Sequence, residues 1–189
     1  LSEENINCID VAPSGTIWMG TETGILRMDP ELGKENFRFF PSDASTISIY
    51  VESENKILAG TDDGILMCNG TGIYKRFKDS IPNTMVYRIK GGKNKVLFCT
   101  DISFSLYEGK KLSNYKIADS KGTKEIVDVW ELNNGSYWLA TNRGLTYVDR
   151  NFDKIHYTSR EGISSDNLYM VYFFNNSLCE VCFSIPGPR

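Results

Sequence analysis

A five-residue phrase that recurs at steps of about 40 residues predicts an all-β fold of the β-propeller class, with four four-stranded blades plus a partial fifth. The phrase is a small residue, Thr, two turn residues and Gly. It stands as Gly20-Thr21-Glu22-Thr23-Gly24, as Gly60-Thr61-Asp62-Asp63-Gly64 and as Ala140-Thr141-Asn142-Arg143-Gly144. An eroded copy stands at Cys99-Thr100-Asp101-Ile102-Ser103. Two further observations agree with it. Inside each period lie only strand-like runs separated by turn residues, and long amphipathic helical periodicity is absent.

Aligned on the Thr, each repeat splits into four short strands. The first blade, about 5–41, reads 6–11, 16–21, 25–28 and 37–40. The second, about 46–80, reads 47–52, 56–61, 65–68 and 74–77. The third, about 84–118, reads 85–90, 95–100, 104–107 and 112–117. The fourth, about 125–158, reads 126–132, 136–141, 145–148 and 154–157. The first turn of each blade carries Ser14-Gly15, Glu54-Asn55, Lys93-Asn94 or Asn134-Gly135. These residues tolerate the positive φ of a tight hairpin. The Gly of Thr-x-x-Gly supplies a left-handed residue to the next hairpin. Its replacement by Ser103 predicts a distorted or lengthened third turn.

The second strands read Ile17-Trp18-Met19, Ile57-Leu58-Ala59, Val96-Leu97-Phe98 and Tyr137-Trp138-Leu139. They are apolar on both faces, as a strand sandwiched between neighbouring sheets requires. Trp18 and Trp138 share one repeat position and read as inter-blade packing rather than as sugar-stacking platforms. A partial fifth blade, 166–183, opens at Asn167. After Ser177 the pattern apolar-Trp-apolar-Gly-Thr is due. The chain reads Leu178-Cys179-Glu180-Val181-Cys182-Phe183 instead, so the repeat grammar lapses. A truncated product, a shifted frame or an artificial boundary all fit that lapse. Four and a half blades leave sheet faces uncovered, and such faces recruit partners. Self-association through the terminal blade faces, or completion by missing blades, is the expectation.

The composition excludes several function classes. The chain has 189 residues and a formal net charge of −3, with both signs interspersed. A nucleic-acid binder shows a clustered basic face. Lys90, Lys93 and Lys95 around Gly91-Gly92 read as a solvated hairpin, so no nucleic-acid partner is expected. No apolar run reaches the roughly 20 residues that span a bilayer. The chain begins Leu1-Ser2-Glu3-Glu4, shows no signal peptide, and reads as a processed or excised piece of something longer. Cys8, Cys68 and Cys99 lie in apolar strand runs and read as small buried hydrophobes. Cys179 and Cys182 have C-x-x-C spacing. A redox pair needs a helix N-terminus and a zinc site a second ligand pair, and the sequence supplies neither.

No catalytic constellation is visible. His156 falls in an outer strand, away from the place where converging polar residues could act, and no nucleophile elbow accompanies it. Asp10, Asp29 and Asp128 lack the clustered oxygen ligands of a calcium loop, and Asp62-Asp63-Gly64 reads as a turn. Gly91-Gly92 lacks the residues of a phosphate loop. No metal or cofactor is expected. A small-molecule site is best placed at one mouth of the central channel, where the inter-blade loops 41–46, 78–84, 118–125 and 159–167 converge. Tyr50, Tyr87, Trp130 and Tyr169, just past these loops, are the candidate ligand-binding residues.

The stretches Ser14 to Pro30 and Asn134 to Asp149 resemble the two-component regulator propeller repeat, whose form is D-x-x-G-x-[IL]-W-[IL]-G-T-x-x-G-[IL]-x-x-[FY]. The first and fourth repeats match closely. The second has Leu58 in place of Trp, and the third lacks both Trp and Gly. The resemblance covers the chain to about residue 176. It implies a propeller in the periplasmic sensor region of a bacterial hybrid two-component system, often for glycan breakdown products. It implies no particular binding residue. The sequence therefore predicts a non-enzymatic sensory or ligand-binding segment with an oligosaccharide ligand. A protein-interaction scaffold and a propeller lyase are the alternatives.

Overall fold

The computed structural model describes residues 5–33, 36–77, 81, 85–92, 94–117, 125–174 and 177–181. The first sheet holds β1 (Ile6–Val11), β2 (Ile17–Thr21), β3 (Gly24–Met28) and β4 (Phe37–Pro41). The second holds β5 (Thr46–Ser53), β6 (Lys56–Thr61), β7 (Gly64–Asn69) and β8 (Gly72–Phe77). The third holds β9 (Arg88–Gly92), β10 (Lys95–Cys99), β11 (Ser103–Glu108) and β12 (Lys111–Lys116). The fourth holds β13 (Ile126–Glu131), β14 (Tyr137–Thr141), β15 (Gly144–Val148) and β16 (Lys154–Tyr157). In each sheet the strands lie in chain order. A fifth, two-stranded sheet pairs β17 (Met170–Phe174) with β18 (Ser177–Val181). This is a β-propeller segment of four blades and part of a fifth. Among the described residues no helix is long and apolar enough to cross a membrane.

Most strands match the sequence reading to within one or two residues at each end, and two departures are instructive. The third inner strand starts at Arg88 rather than at residue 85. Before it, the Val86 N–H donates 2.8 Å to the Thr61 carbonyl of the preceding blade, so the chain is already engaged elsewhere. At the other end, β18 forms although the repeat motif has lapsed there. Pairing with β17 requires extended backbone, not the motif. Residues 182–189, the loop residues 78–80, 82–84 and 118–124, and Lys93 lie outside the described residues.

The recurring phrase has a local cause. The buried hydroxyls of Thr21, Thr61 and Thr141 donate to the carbonyls of Gly24, Gly64 and Gly144 at 3.2, 2.9 and 2.7 Å. Each also accepts the N–H of the residue two positions on, at 3.3, 3.0 and 3.1 Å. The side chain thus satisfies the turn from within. Gly144 has φ +113, and a Cβ there would strike the Tyr157 carbonyl oxygen on the adjoining strand. In the third repeat β10 stops at Cys99, and residues 100–102 make the link to β11 one residue longer than its counterparts. Ser103 carries a Cβ and is not among the positive-φ residues.

The small residue before the Thr makes room for the next blade. A Cβ on Gly60 would lie 2.6 Å from Ser48 Oγ and 2.8 Å from both Val86 Cγ1 and the Val86 carbonyl. Ala140, at the same repeat position, is fully buried against Leu168 and Val171 of the next blade. The Thr carbonyl completes the joint: Thr141 accepts the Leu168 N–H at 3.0 Å, as Thr61 accepts that of Val86. Inner strands β1, β5 and β13 each carry a register irregularity at the same place, between Ile6 and Cys8, Thr46 and Ser48, and Ile126 and Asp128.

The chain divides into two compact units, residues 1–100 with 105–114 and residues 101–104 with 115–189. In the first unit, Ala12, Trp18, Ile25 and Phe40 of the first blade pack on Ile49, Val51, Ile57, Ala59, Leu66 and Cys68 of the second. Trp18 is fully buried and stacks on Phe40 with 5.8 Å between centroids. Leu58, Ile65 and Met67 then pack on Ile89, Val96 and Phe98 of the third blade. In the second unit, Tyr115 stacks on Phe152 at 3.7 Å, and Phe104 lies 5.2 Å from Tyr137.

Two tests follow from this packing. Thr61→Val keeps the shape but removes the hydroxyl's bonds to the Gly64 carbonyl and the Asp63 N–H. It should cost about 1–3 kcal/mol in chemical denaturation. Burial pushes the Cys68 thiol up from 9.0 to about 12. Below pH 9 this contributes fully to stability, and it is lost as pH rises towards 12 because only the unfolded chain ionises. Cys68→Ala should therefore flatten the decline of unfolding free energy between pH 9 and 11.

Candidate functional site

In the first unit an open groove of about 420 Å³ lies between the second and third blades. Its walls come from the ends of hairpins. Tyr50 and Glu52 stand on β5, Lys56 begins β6, and Asn94 and Lys95 form the turn into β10. Tyr107 and Gly109 come from the end of β11 and its turn. These turns lie at the end of the sheets opposite the inter-blade loops. Asn94 and Gly109 take positive φ in these turns, +62 and +61.

Charged and aromatic side chains line the groove together. Lys56 Nζ pairs with Glu52 Oε2 at 2.7 Å and sits 5.4 Å from the Tyr107 ring centroid. An ammonium over a ring face is attracted to its quadrupole. Lys95 occupies the repeat position of Lys56, each being the first residue of a second strand. The groove thus holds two ammonium groups and one carboxylate beside two phenol rings. The Tyr50 ring lies against Gly91, where a Cβ would overlap it. Burial, then the charges of Glu52 and Asp10, holds the Tyr50 phenol above its ordinary range.

The four aromatic candidates are divided between the units. Tyr50, in the first, lines the groove, while Tyr87 does not and instead donates its N–H to the Cys99 carbonyl at 2.9 Å. In the second unit, Trp130 packs with Trp138 and Tyr157 against a core of Ala140, Leu145, Leu168 and Val171. Tyr169 is exposed, and its hydroxyl accepts from Asn167 Nδ2 at 3.3 Å. The loop before it is bound to itself. Glu161 accepts from the Thr158 N–H and hydroxyl, both at 2.7 Å, which holds its carboxyl below the usual range. Asp166 accepts from the Ser159 N–H, with the same effect on its own carboxyl.

The remaining polar candidates have structural partners. His156 Nδ1 lies 3.0 Å from the Thr146 hydroxyl, directly opposite it on β15. Asp29 caps the 3₁₀ turn Pro30–Leu32 by accepting from the Glu31 N–H. Asp10 accepts from the Val51 N–H at 2.7 Å, and Asp128 from the Val171 N–H at 3.1 Å, each joining its blade to the next. Trp18 is fully buried, and Trp138 lies 5.0 Å from Tyr147. The Cys8 thiol is pushed up to about 11 by burial, which opposes thiolate chemistry. Among the described residues no group of three His, Cys, Asp or Glu could hold a metal ion.

The sequence reading named Tyr50 of this groove but not Glu52, Lys56, Lys95 or Tyr107, and looked for a site at the inter-blade loops. One signal was available: Lys56 and Lys95 recur at the same repeat position beside hairpin turns, where blades 1 and 4 carry Thr16 and Ser136.

No family model matches the chain, and no curated protein matches it. Solved structures do. The extracellular domain of a hybrid two-component system from B. thetaiotaomicron matches 91% of this chain with 24% of its own, at TM-score 0.71 and 17% identity. Virginiamycin B lyase from Staphylococcus aureus matches 93% of this chain with 62% of its own, at TM-score 0.72 and 15% identity. BamB from Moraxella catarrhalis matches 81% of this chain with 53% of its own, at TM-score 0.62 and 14% identity. The chain spans about a quarter of the first and less than two thirds of the other two. At such identities the likeness is one of fold. The chain is a run of β-propeller blades similar in fold to the extracellular domain of a bacterial hybrid two-component system, the architecture that its repeats resemble.

Proposed function

We propose that this chain is a non-enzymatic, ligand-binding segment of an extracellular or periplasmic sensor, and that its ligand is a glycan-derived oligosaccharide held in the groove between the second and third blades. The groove carries the reading. Two phenol rings offer faces on which a sugar ring can stack, and Glu52, Lys56, Asn94 and Lys95 offer donors and acceptors for its hydroxyls. A sensor of this kind converts binding into a small change in how adjacent blades pack, because the ligand touches hairpins from both. The repeat resemblance and the shared fold with a two-component extracellular domain support the sensory role. The structural pairing of His156, Asp10 and Asp128 supports the absence of catalysis.

Isothermal titration against a panel of di- to tetrasaccharides tests the reading. A saccharide that binds the chain should bind Tyr107→Leu and Lys95→Gln about tenfold more weakly, a change of roughly 1.4 kcal/mol in each. Tyr169→Ala, in the other unit, should leave its affinity unchanged. Binding that ignores both groove substitutions would reject the site. Turnover of virginiamycin B by the chain would reject the non-enzymatic assignment and favour the lyase reading.

A further inference from the structure

One exposed ring stands next to the groove without lining it. Tyr74 lies on β8, the outer strand of the second blade, and is 51% exposed. The pairing of β8 with β7 slips at this residue. Lys75 lies opposite Met67 and Ile73 opposite Cys68, so Tyr74 is an extra residue with no register partner on β7. That arrangement is a β-bulge. The outer strand pairs of the first and fourth blades run without such a shift.

The bulge changes which way the strand faces. Residues two apart on a regular strand share a face. Phe77 meets the Tyr107 ring of the third blade at 6.0 Å, and Lys75 Nζ sits 4.2 Å from the Phe77 ring centroid. Regular alternation would put Ile73 on that same side. Ile73 instead packs against the core shared with the first blade. The inserted residue absorbs the change of face, and Tyr74 is left exposed between the two sides. Its surroundings place it by the groove. Burial holds the Tyr74 phenol above its ordinary range, the charge of Lys56 opposes this, and Cys68, Tyr107 and Glu52 add to it. Lys56, Tyr107 and Glu52 all line the groove.

We infer that Tyr74 is the outer stacking platform of a binding site that extends from Tyr107 and the Glu52–Lys56 pair to the outer strand, and that the site takes a linear saccharide longer than a disaccharide. The inference rests on the reading of the groove as a saccharide site. A bulge re-aims one side chain while the strand around it keeps its core contacts. An exposed phenol then offers a sugar ring an apolar surface beside a polar hydroxyl.

Isothermal titration with β-1,4-linked gluco-, xylo- and galacto-oligosaccharides of two to six rings tests this extension. In a series that binds, affinity should rise with length. Tyr74→Ala should weaken the hexasaccharide about fivefold and leave the disaccharide unchanged. Tyr74→Phe should keep the parent affinity at both lengths, because the ring carries the contact. Tyr74→Gln repeats the first arm should Tyr74→Ala fail to fold. Tyr107→Leu should weaken both lengths. Should Tyr107→Leu weaken binding while Tyr74→Ala costs nothing, or costs the disaccharide and hexasaccharide alike, the extension is overturned and the groove reading stands. Binding that ignores Tyr107→Leu, or no binding in any series, overturns both.

Discussion

The contact on which this molecule rests is the close approach of each blade to the residue just before the repeated Thr. There the backbone of one inner strand comes near enough that Gly60 has no room for a Cβ. The Thr carbonyl then reaches the neighbouring chain, as Thr61 does for Val86 and Thr141 for Leu168. The Thr hydroxyl is meanwhile spent on its own turn, so hydroxyl and carbonyl serve different partners. The Thr side chain, its carbonyl and the small residue before it, Gly60 or Ala140, act as one device. The large apolar residues around it, such as Trp18, Ile57 and Phe98, fill space that this device has already fixed.

The same economy explains the carboxylates. A buried Asp is costly unless hydrogen bonds compensate it. Asp128 is 2% exposed, and one of its oxygens accepts an N–H from the next blade. Asp10 does likewise from a position two residues further along its strand, and the N–H it meets in the next blade is shifted to match. Either position works, because a strand repeats its facing every second residue. A residue type often associated with catalysis is here a staple between sheets.

Most of the fold was legible because the repeat constrains it many times over. The period, the hairpin turns at Ser14-Gly15 and Asn134-Gly135, and the doubly apolar second strands all pointed to one answer. The missing Gly at Ser103 even located the longer turn. The start of the third inner strand was not legible, since it depends on a bond from Val86 to a residue 25 positions earlier. Neither was β18, where pairing outlasts the motif. The groove was hidden for a related reason. Its walls, Tyr50, Lys95 and Tyr107, belong to three hairpins in two blades, and periodicity assigns residues to strands without saying which hairpin ends stand apart. Of the four aromatic candidates, it was a neighbouring turn glycine and a tyrosine from another strand, not sequence position, that set Tyr50 beside a cavity.

The irregularity at the head of β1, β5 and β13 carries a lesson about how such a chain can diverge. Each inner strand gains one unpaired residue there, Asn7, Ile47 or Val127. That extra residue resets which way everything after it points. Connecting loops can therefore lengthen or shorten freely during evolution, while this single step restores the phase before the core begins. A lineage of these repeats would tolerate ragged spacing between copies, yet the loss of one amino acid at that step would turn an entire strand inside out.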